Sequence, residues 1–210
     1  MDLPQHWDDT YRARDEDALT WFEAVPEVSL RLVRQHLPRG GTMIDVGAGA
    51  SRLVDHVLDE RRGRVTVLDL SPEALALTRE RLGQHANEVS FVVTDIRNWT
   101  PDRAYDLWHD RAVFHFLTDT ADQRRYLETL DASLRPGGTA IISTFDLTGP
   151  EQCSNLPVQR YSPETLDARI EQLMPGLLTL VRSEQHTHHT PKGNTQTFQI
   201  SVYRKKEIPT

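Results

Sequence analysis

One stretch, IDVGAGASRLVDHV (residues 44–57), sets the architecture of this chain. It begins as an apolar strand, turns at Gly47 and Gly49, and continues with apolar residues at helical spacing. A strand, a glycine turn and a helix in this order leave backbone N–H groups at the helix start facing the space above the strand ends. The stretch therefore predicts the first βα unit of an open α/β sheet, with a site for a carboxylate or phosphate at the turn.

The rest of the chain continues this pattern. Apolar, β-branched runs at 64–71, 89–96, 105–110 and 138–145 alternate with amphipathic stretches, which is typical of a doubly wound, mostly parallel α/β sheet. Two further runs, LLTLVRSEQHTH and TQTFQISVYRK, are joined by the short turn TPKGN. Such a short turn predicts an antiparallel hairpin at the C-terminal end of the fold.

We expect a single domain, because 210 residues is within the usual size of one. Its parts are an N-terminal lid or helical segment (1–37), a cofactor-binding core (38–145), and an acceptor loop followed by the hairpin (146–210). The loop at 146–161 is rich in Pro, Gly, Ser and Asn, and loops of that length usually carry function or are disordered.

The composition excludes several functions. Lys and Arg number 24 against 31 Asp and Glu, and the net charge of −7 argues against nucleic acid as a partner. The single cysteine, Cys153, allows no internal disulfide, which fits a reducing compartment. Because the sequence shows no signal-peptide pattern and no long apolar run, we expect a soluble, cytoplasmic protein that does not bind membranes, either a monomer or a homodimer.

Acidic residues end several of the expected strands. Asp69 follows Gly49 by 20 residues, the spacing at which a carboxylate accepts hydrogen bonds from ribose hydroxyls in open α/β sheets. Asp45, Asp95 and Asp110 stand at or just after the ends of three other strands. Because parallel strands end at the same edge of a sheet, we expect all four acids to face one ligand crevice.

The glycine pattern narrows the choice of cofactor. A dinucleotide site requires a third glycine three residues after the second, but Arg52 stands there, which disfavours NAD, and no P-loop motif occurs. Two alternatives from other classes stay open. A nicotinamide oxidoreductase would use the same sheet and Asp69, and a catalytically silent cofactor-binding module would keep the same strand-end acids.

Taken together, these segments resemble the motifs of the class I methyltransferases that use S-adenosylmethionine. IDVGAGAS is similar to their first motif, VLDLS to their ribose-binding acid, VVTDI to their adenine segment, and YDLWHDRAVFHFL and LRPGGTAIIS to their fourth and fifth strands. The resemblance covers about residues 38–145. More loosely, the layout is similar to the citrate-synthase and elongation-factor lysine methyltransferases, which have Asp-Lys-Gly where this chain has Asp110-Arg111-Ala112.

The resemblance implies a seven-stranded, Rossmann-like fold and S-adenosylmethionine as the cofactor, with S-adenosylhomocysteine as its product. It implies that the two glycines pass under the methionine part, that the Asp69 carboxylate takes both ribose hydroxyls, and that Asp45 helps to hold the amino group. The adenine would be framed by Asp95 and Ile96. The expected cofactor-binding residues are Trp7, Tyr11, Asp45, Gly47, Gly49, Asp69, Leu70, Asp95 and Ile96.

The N-terminal segment carries four aromatic candidates for a lid over the cofactor. These are His6, Trp7, Tyr11 and Trp21. The equal alternative is that they only tie the segment to the domain.

Methyl transfer from a sulfonium needs alignment, desolvation and sometimes a base, but no metal. The expected catalytic residues are His109, as a base, with Asp110 as its orienting partner, and Arg111. For His109, an equal alternative is a histidine at the end of a strand whose hydrogen bonds only stabilise the fold. Arg160, together with Arg111, is expected to hold an anionic acceptor, although a structural ion pair is the commoner role of such an arginine.

Three further residues are expected near the acceptor. Tyr161 lies on the long loop, His115 is a candidate for pocket wall or core, and His188 would lie at the rim formed by the hairpin. A metal is not expected at His186, His188 and His189, because strand alternation separates them and no carboxylate or cysteine stands at ligand spacing.

The sequence therefore predicts an S-adenosylmethionine-dependent methyltransferase that acts on a small, anionic molecule. The alternative is methylation of a protein lysine side chain. Carbon, nitrogen, oxygen and sulfur acceptors all stay open.

Overall fold

A computed structural model describes residues 2–207 as an α/β fold around a seven-stranded sheet. The sheet strands are β1 (Gly41–Val46), β2 (Gly63–Asp69), β3 (Val89–Val93), β4 (Tyr105–Arg111), β5 (Leu134–Phe145), β8 (Leu178–His189) and β9 (Thr195–Lys205). Their order is β3-β2-β1-β4-β5-β9-β8. The first five run parallel, whereas β9 is antiparallel to β5 and to β8. The predicted doubly wound sheet with an antiparallel C-terminal hairpin is confirmed.

Helices cover both faces of this sheet. They are α1 (Leu3–Arg12), α2 (Glu27–His36), α3 (Leu53–Asp59), α4 (Pro72–Leu82), α5 (Thr120–Ser133) and α6 (Pro163–Leu173). The repeated Ser-Pro-Glu sequence starts two of them, because the hydroxyl of Ser71 accepts a hydrogen bond from the backbone N–H of Ala74 (3.1 Å) and Ser162 forms a capping box with Thr165. Separate apolar cores lie on the two faces, one around Trp108 and Tyr126 and the other around Val57.

The N-terminal residues 3–23, here called the N-terminal cover, pack over the carboxyl ends of the strands. Proline in the first turn and Asp2, whose side chain accepts a hydrogen bond from the N–H of Gln5, start α1, which the sequence reading did not predict as a helix. The hydroxyl of Ser71 donates to the carboxylate of Asp8 (2.5 Å), and Tyr11 and Leu19 are buried against Ala50 and Ala74. A small third core therefore fixes the cover above the glycine turn.

Two segments differ from the sequence prediction. The third strand ends at Val93 rather than at residue 96, because the carboxylate of Asp95 binds the backbone N–H of Arg97 (2.9 Å) and closes a turn. The long loop at 146–161 contains a small hairpin, β6 (Gln152–Cys153) and β7 (Leu156–Pro157). Its two turn residues, Ser154 and Asn155, have φ of 48° and 62°, as a two-residue hairpin turn with the twist of the strands requires.

Candidate active site

A cavity of about 340 Å³ lies at the carboxyl ends of the parallel strands, under the N-terminal cover. That volume is within the range of small-molecule sites. Of the residues expected to bind cofactor, those on its wall are Trp7, Tyr11, Asp45, Gly47, Asp69, Leu70, Asp95 and Ile96. Gly49 lies directly beside it, since its N–H donates to the carboxylate of Asp69 (2.8 Å).

The carboxylate of Asp69 is prepared to accept hydrogen bonds from a ligand. Oδ2 accepts from the N–H of Gly49 and Oδ1 from the N–H of Ser71 (2.9 Å), so each oxygen keeps a free lone pair. Burial raises the pKa of Asp69 to about 6, although these backbone N–H groups act in the opposite direction. At neutral pH the side chain is therefore an ionised acceptor on the cavity wall, the chemistry that ribose hydroxyls require.

Both glycines of the turn make room for neighbouring segments. Gly47 has φ of 65°, and a Cβ there would lie 2.0 Å from Cγ2 of Val113. Gly49 has φ of 53°, and its Cβ would lie 2.1 Å from the hydroxyl oxygen of Tyr11. Any larger residue would therefore push away the loop after β4 or the N-terminal cover, in addition to adopting a strained backbone.

An ion pair that the sequence reading missed lies at the other end of the cofactor wall. Arg97 Nε donates to both oxygens of Asp95 (2.9 Å), and Arg97 Nη1 donates to Asp122 Oδ2 (2.6 Å). Burial alone would raise the pKa of Asp95, but its hydrogen bonds to Arg97 hold the pKa below the ordinary value. All three residues line the cavity. Arg97 follows the expected adenine segment by a single position, which is the only sequence signal for it.

His109 lies on the cavity wall with both ring nitrogens occupied. Asp45 and His109 stand opposite each other in the β1–β4 register, so their side chains share one face, and His109 Nδ1 lies 2.6 Å from Asp45 Oδ1. Nε2 lies 2.9 Å from the hydroxyl of Ser29 on α2. Since a carboxylate only accepts, Nδ1 carries a proton and Nε2 is bound by the serine. The ring is thus held between β1 and α2, with both nitrogens bonded to protein groups.

The expected partnership of His109 with Asp110 is wrong. Adjacent strand residues point to opposite faces, and Asp110 turns away from the cavity into the core, where it is fully buried. Its carboxylate accepts hydrogen bonds from the N–H groups of Val113 (2.7 Å) and Phe114 (3.0 Å) and from the hydroxyl of Tyr126 (2.5 Å). Asp110 therefore fixes the loop after β4 and does not line the ligand crevice.

Arg111 does face the cavity. Its Nη1 donates to the carbonyl of Trp21 in the N-terminal cover (3.0 Å), and its guanidinium carbon lies 5.4 Å from the ring centroid of Phe198. Nη2 is 3.3 Å from Oε1 of Glu23, outside hydrogen-bond geometry. A cation is therefore present where the sequence predicted one for the acceptor.

Two residues expected to bind the acceptor, Arg160 and Tyr161, do not line the cavity. Arg160 donates to the carbonyl of Gly149 (3.0 Å) and to Glu151 (2.9 Å), so the structural ion pair replaces the predicted anion site. The hydroxyl of Tyr161 is buried against Gln123, which donates to it (3.0 Å). These contacts face away from the cavity.

His115 belongs to the core, not to an acceptor-binding surface. It is fully buried beside Phe116 and Phe145, and its Nδ1 accepts a hydrogen bond from the N–H of Phe145 (3.2 Å). Burial lowers the pKa of His115 to about 3, so the ring is neutral at physiological pH. Of the two roles weighed for this residue, the structure supports packing behind the cavity wall.

His188 anchors the N-terminal cover instead of contacting the acceptor. Its Nε2 lies 2.8 Å from the carbonyl of Thr20 and its Nδ1 lies 3.1 Å from Glu23, to which His186 is also near (3.7 Å). Burial alone would raise the pKa of Glu23, but hydrogen bonds from both histidines and the charge of Arg111 hold it well below its ordinary value. Within residues 2–207, no group of three or more side chains has the arrangement of a metal site.

The remaining wall, here called the acceptor end, lies between the cover, β5, the small hairpin and β9. It is formed by Trp7, Trp21, Arg111, Phe116, Phe145, Cys153, Gln196 and Phe198. Trp7, Trp21 and Arg111 were candidates from the sequence, whereas Phe145 and Phe198 were not, because their place on this wall depends on the β5–β9 pairing. The fold therefore holds one cavity with a polar end at Asp69 and an aromatic end around Trp7 and Phe198.

Residues 44–140 match the family profile described as a methyltransferase domain. The chain is 31% identical over 104 residues to malonyl-acyl-carrier-protein O-methyltransferase 1 of Ilyobacter polytropus, covering 49% of this chain and 37% of that protein. It is 33% identical over 138 residues to trans-aconitate 2-methyltransferase of Streptomyces avermitilis, covering 63% and 48% respectively. The match thus spans less than half the length of these curated relatives.

The solved structure of 1,6-didemethyltoxoflavin-N1-methyltransferase from Burkholderia thailandensis shares the fold, with a TM-score of 0.74 over 98% of this chain and 88% of that one at 24% identity. Residues 44–140 are therefore similar in sequence to a methyltransferase domain, and the strand order is that of an open, doubly wound α/β sheet. No helix within residues 2–207 is long and apolar enough to cross a membrane.

Proposed function

We propose that this protein transfers a methyl group from S-adenosylmethionine to a small, anionic molecule. The observation that carries the proposal is the pairing of two features in one cavity: the ionised carboxylate of Asp69, with a free lone pair on each oxygen, and the cation of Arg111 at the acceptor end. The first suits a ribose, and the second suits an acidic acceptor.

The residues of this chain fit the cofactor. Asp69 would accept both ribose hydroxyls, Gly47 and Gly49 would leave room for the methionine part, and Asp95 with Ile96 would frame the adenine. Asp45 is held by His109 at the start of the glycine turn, where it would hold the amino group. When bound, S-adenosylmethionine supplies a methyl group activated on a sulfonium.

The main contribution of the protein is alignment and exclusion of water. The N-terminal cover places Trp7 and Trp21 on the wall of the cavity, and the side chain of Tyr11 closes over the glycine turn. A fixed acceptor and a fixed methyl group react as an intramolecular pair, which accounts for a large part of the rate in such displacements. His109 acts as a positioning residue for Asp45 in this scheme.

The acceptor class is supported by Arg111 and by one relative. Trans-aconitate, named for the Streptomyces avermitilis protein, is an anion at neutral pH. Methylation of a protein lysine is the weaker alternative, because the residues that form the acceptor end include the guanidinium of Arg111 but no carboxylate that would bind an ammonium group.

The first test is calorimetric titration with S-adenosylhomocysteine and, separately, with NAD. Micromolar binding of S-adenosylhomocysteine and no binding of NAD are expected. Binding of NAD, or of neither compound, would contradict the proposal. Mass spectrometry of reactions with small organic acids and with lysine-containing peptides then distinguishes the two acceptor classes, because only one of them should gain a methyl group.

A further inference from the structure

The acceptor end contains a buried donor that the protein itself does not satisfy. Among the described residues, none accepts a hydrogen bond from Arg111 Nη2, although the atom is shielded from solvent and lies on a cavity-lining side chain. Glu23 is near enough to balance the charge but not oriented to accept. The hydrogen bonding of the Arg111 guanidinium is therefore incomplete within the protein, and a ligand oxygen beside the part of this side chain that lines the cavity would be favoured.

The walls around this donor are flat and aromatic. Trp7 packs edge-to-face against Trp21 (centroids 5.9 Å apart) and against Phe116 (5.3 Å). On the sheet side, Phe145 and Phe198 are 4.8 Å apart. Aromatic faces and edges stabilise a planar π-system through stacked or edge-to-face contacts, whereas a flexible aliphatic chain gains only the burial of its area.

The acceptor end offers no free base. Both ring nitrogens of His109 are engaged, by Asp45 and by Ser29. Burial raises the pKa of the Cys153 thiol to about 11, so it holds its proton at neutral pH. A nucleophile that must first lose a proton, such as an alcohol, would therefore find no side chain on this wall to take it.

We propose that the acceptor is a planar, conjugated organic acid, whose ionised oxygen takes the methyl group while the guanidinium of Arg111 binds the acid. The proposal rests on the proposed methyl transfer. A lone pair of the carboxylate oxygen forms the new bond to the methyl carbon, and the carbon–sulfur bond breaks with its electrons going to sulfur. The negative oxygen and the positive sulfonium become a neutral ester and a neutral thioether, so no proton has to leave and no base is needed.

The same charge balance explains how the product departs. The guanidinium of Arg111 would bind one carboxylate oxygen and leave the other free to attack. After the reaction the ester carries no charge, so its interaction with the guanidinium is weaker than that of the acid. Acid and ester are thus distinguished by one side chain.

Four matched compounds test the acceptor class on the wild-type protein saturated with S-adenosylhomocysteine. Cinnamate is planar and anionic, 3-phenylpropionate is the same acid without conjugation, cinnamamide is planar and neutral, and cinnamylamine is planar and cationic. By calorimetry we expect cinnamate to bind at least about tenfold tighter than cinnamamide, about threefold or more tighter than 3-phenylpropionate, and cinnamylamine not to bind. With S-adenosylmethionine, mass spectrometry should detect methyl cinnamate.

Two variants locate the effect. Arg111→Gln should reduce the preference for cinnamate over cinnamamide to less than about threefold. His188→Gln is the matched control, because His188 also anchors the N-terminal cover but does not line the cavity, and it should keep the preference. Equal loss in both variants would mean that the cover, not the cation, selects the acid.

The inference is overturned if cinnamate binds no tighter than cinnamamide or cinnamylamine. It is also overturned if none of the four compounds binds. The affinity for S-adenosylhomocysteine separates this result from failure of the proposed function. A wild-type protein that binds S-adenosylhomocysteine but not the acid refutes only the acceptor class, and one that does not bind it refutes methyl transfer itself.

Discussion

Replacing Asp69 by alanine should weaken S-adenosylhomocysteine binding about a hundredfold. Each carboxylate oxygen keeps one lone pair for a ribose hydroxyl, beside the bonds it accepts from Gly49 and Ser71. A hydrogen bond to a charged group contributes about 1.5 kcal/mol or more, so two of them contribute about 3 kcal/mol, which is roughly two orders of magnitude in Kd. Titration calorimetry at pH 7.5 measures this directly.

The variant should still fold, because two effects on stability oppose each other. Removing the carboxylate leaves the N–H groups of Gly49 and Ser71 without their acceptor, at about 1–3 kcal/mol each. However, burial raises the pKa of Asp69 from 3.8 to about 6, and ionising it at neutral pH costs the folded state about 3 kcal/mol, which the variant no longer bears. The net loss in the free energy of unfolding is therefore at most about 3 kcal/mol, which a folded domain of ordinary stability tolerates.

Asp106→Ala provides the matched control. Asp106 also binds a backbone N–H, that of Thr42 (2.8 Å), but it lies at the opposite end of β4 and away from the cavity. We expect this variant to lose stability and to bind S-adenosylhomocysteine as the wild type does. An Asp69→Ala protein that binds within threefold of the wild type, or an Asp106→Ala protein that loses as much, would refute the assignment of the ribose site.

Three further perturbations follow from the same contacts. Because burial raises the pKa of Asp69 to about 6, the affinity for S-adenosylhomocysteine should be constant above about pH 7. Below pH 6 it should fall by up to about tenfold per pH unit, as the carboxylate becomes protonated. A single Kd from pH 5 to 7.5 by calorimetry would contradict this. Asp110→Ala should lower the free energy of unfolding in urea by about 3 kcal/mol, because three core donors lose their acceptor at about 2 kcal/mol each, while the cost of ionising this buried carboxyl, whose pKa is raised to about 6, is relieved. No loss of stability would speak against this role. Gly49→Ala should weaken S-adenosylhomocysteine binding, because the new Cβ displaces Tyr11. Adding Tyr11→Phe, which removes the clashing oxygen, should restore part of the affinity measured by calorimetry. If nothing is restored, backbone strain at residue 49 alone is responsible.

The sequence predicted the features that depend on local pattern. The last strand covers residues 195–205 as predicted, and Ser71 caps α4 where Ser-Pro-Glu indicated a helix start. The ribose acid was also accessible, because one βαβ unit fixes the distance between the glycine turn and the end of the next strand. The helix α1 was missed, since its aromatic and charged residues bury only a few positions against the rest of the fold.

Side-chain partnerships could not be read in the same way. His109 pairs with Asp45, 64 positions earlier, because the β1–β4 register aligns them, whereas its neighbour Asp110 points to the other face. A periodicity argument applied to β4 alone would have separated the two adjacent residues, but the choice of Asp45 requires the strand order. The predicted anion site at Arg160 failed for a similar reason, since Glu151 binds it within the same loop.

Arg111 connects the acceptor end with the N-terminal cover. Its Nη1 binds the carbonyl of Trp21, while the indole of the same residue lines the cavity, so the guanidinium is in place only when the cover is. An acceptor that needs this cation therefore meets a site from which water is already excluded, and low local polarity strengthens the attraction between the two charges. We expect cofactor and acid to bind more tightly together than separately, since both would contact the cover and each would stabilise its packing over the strand ends.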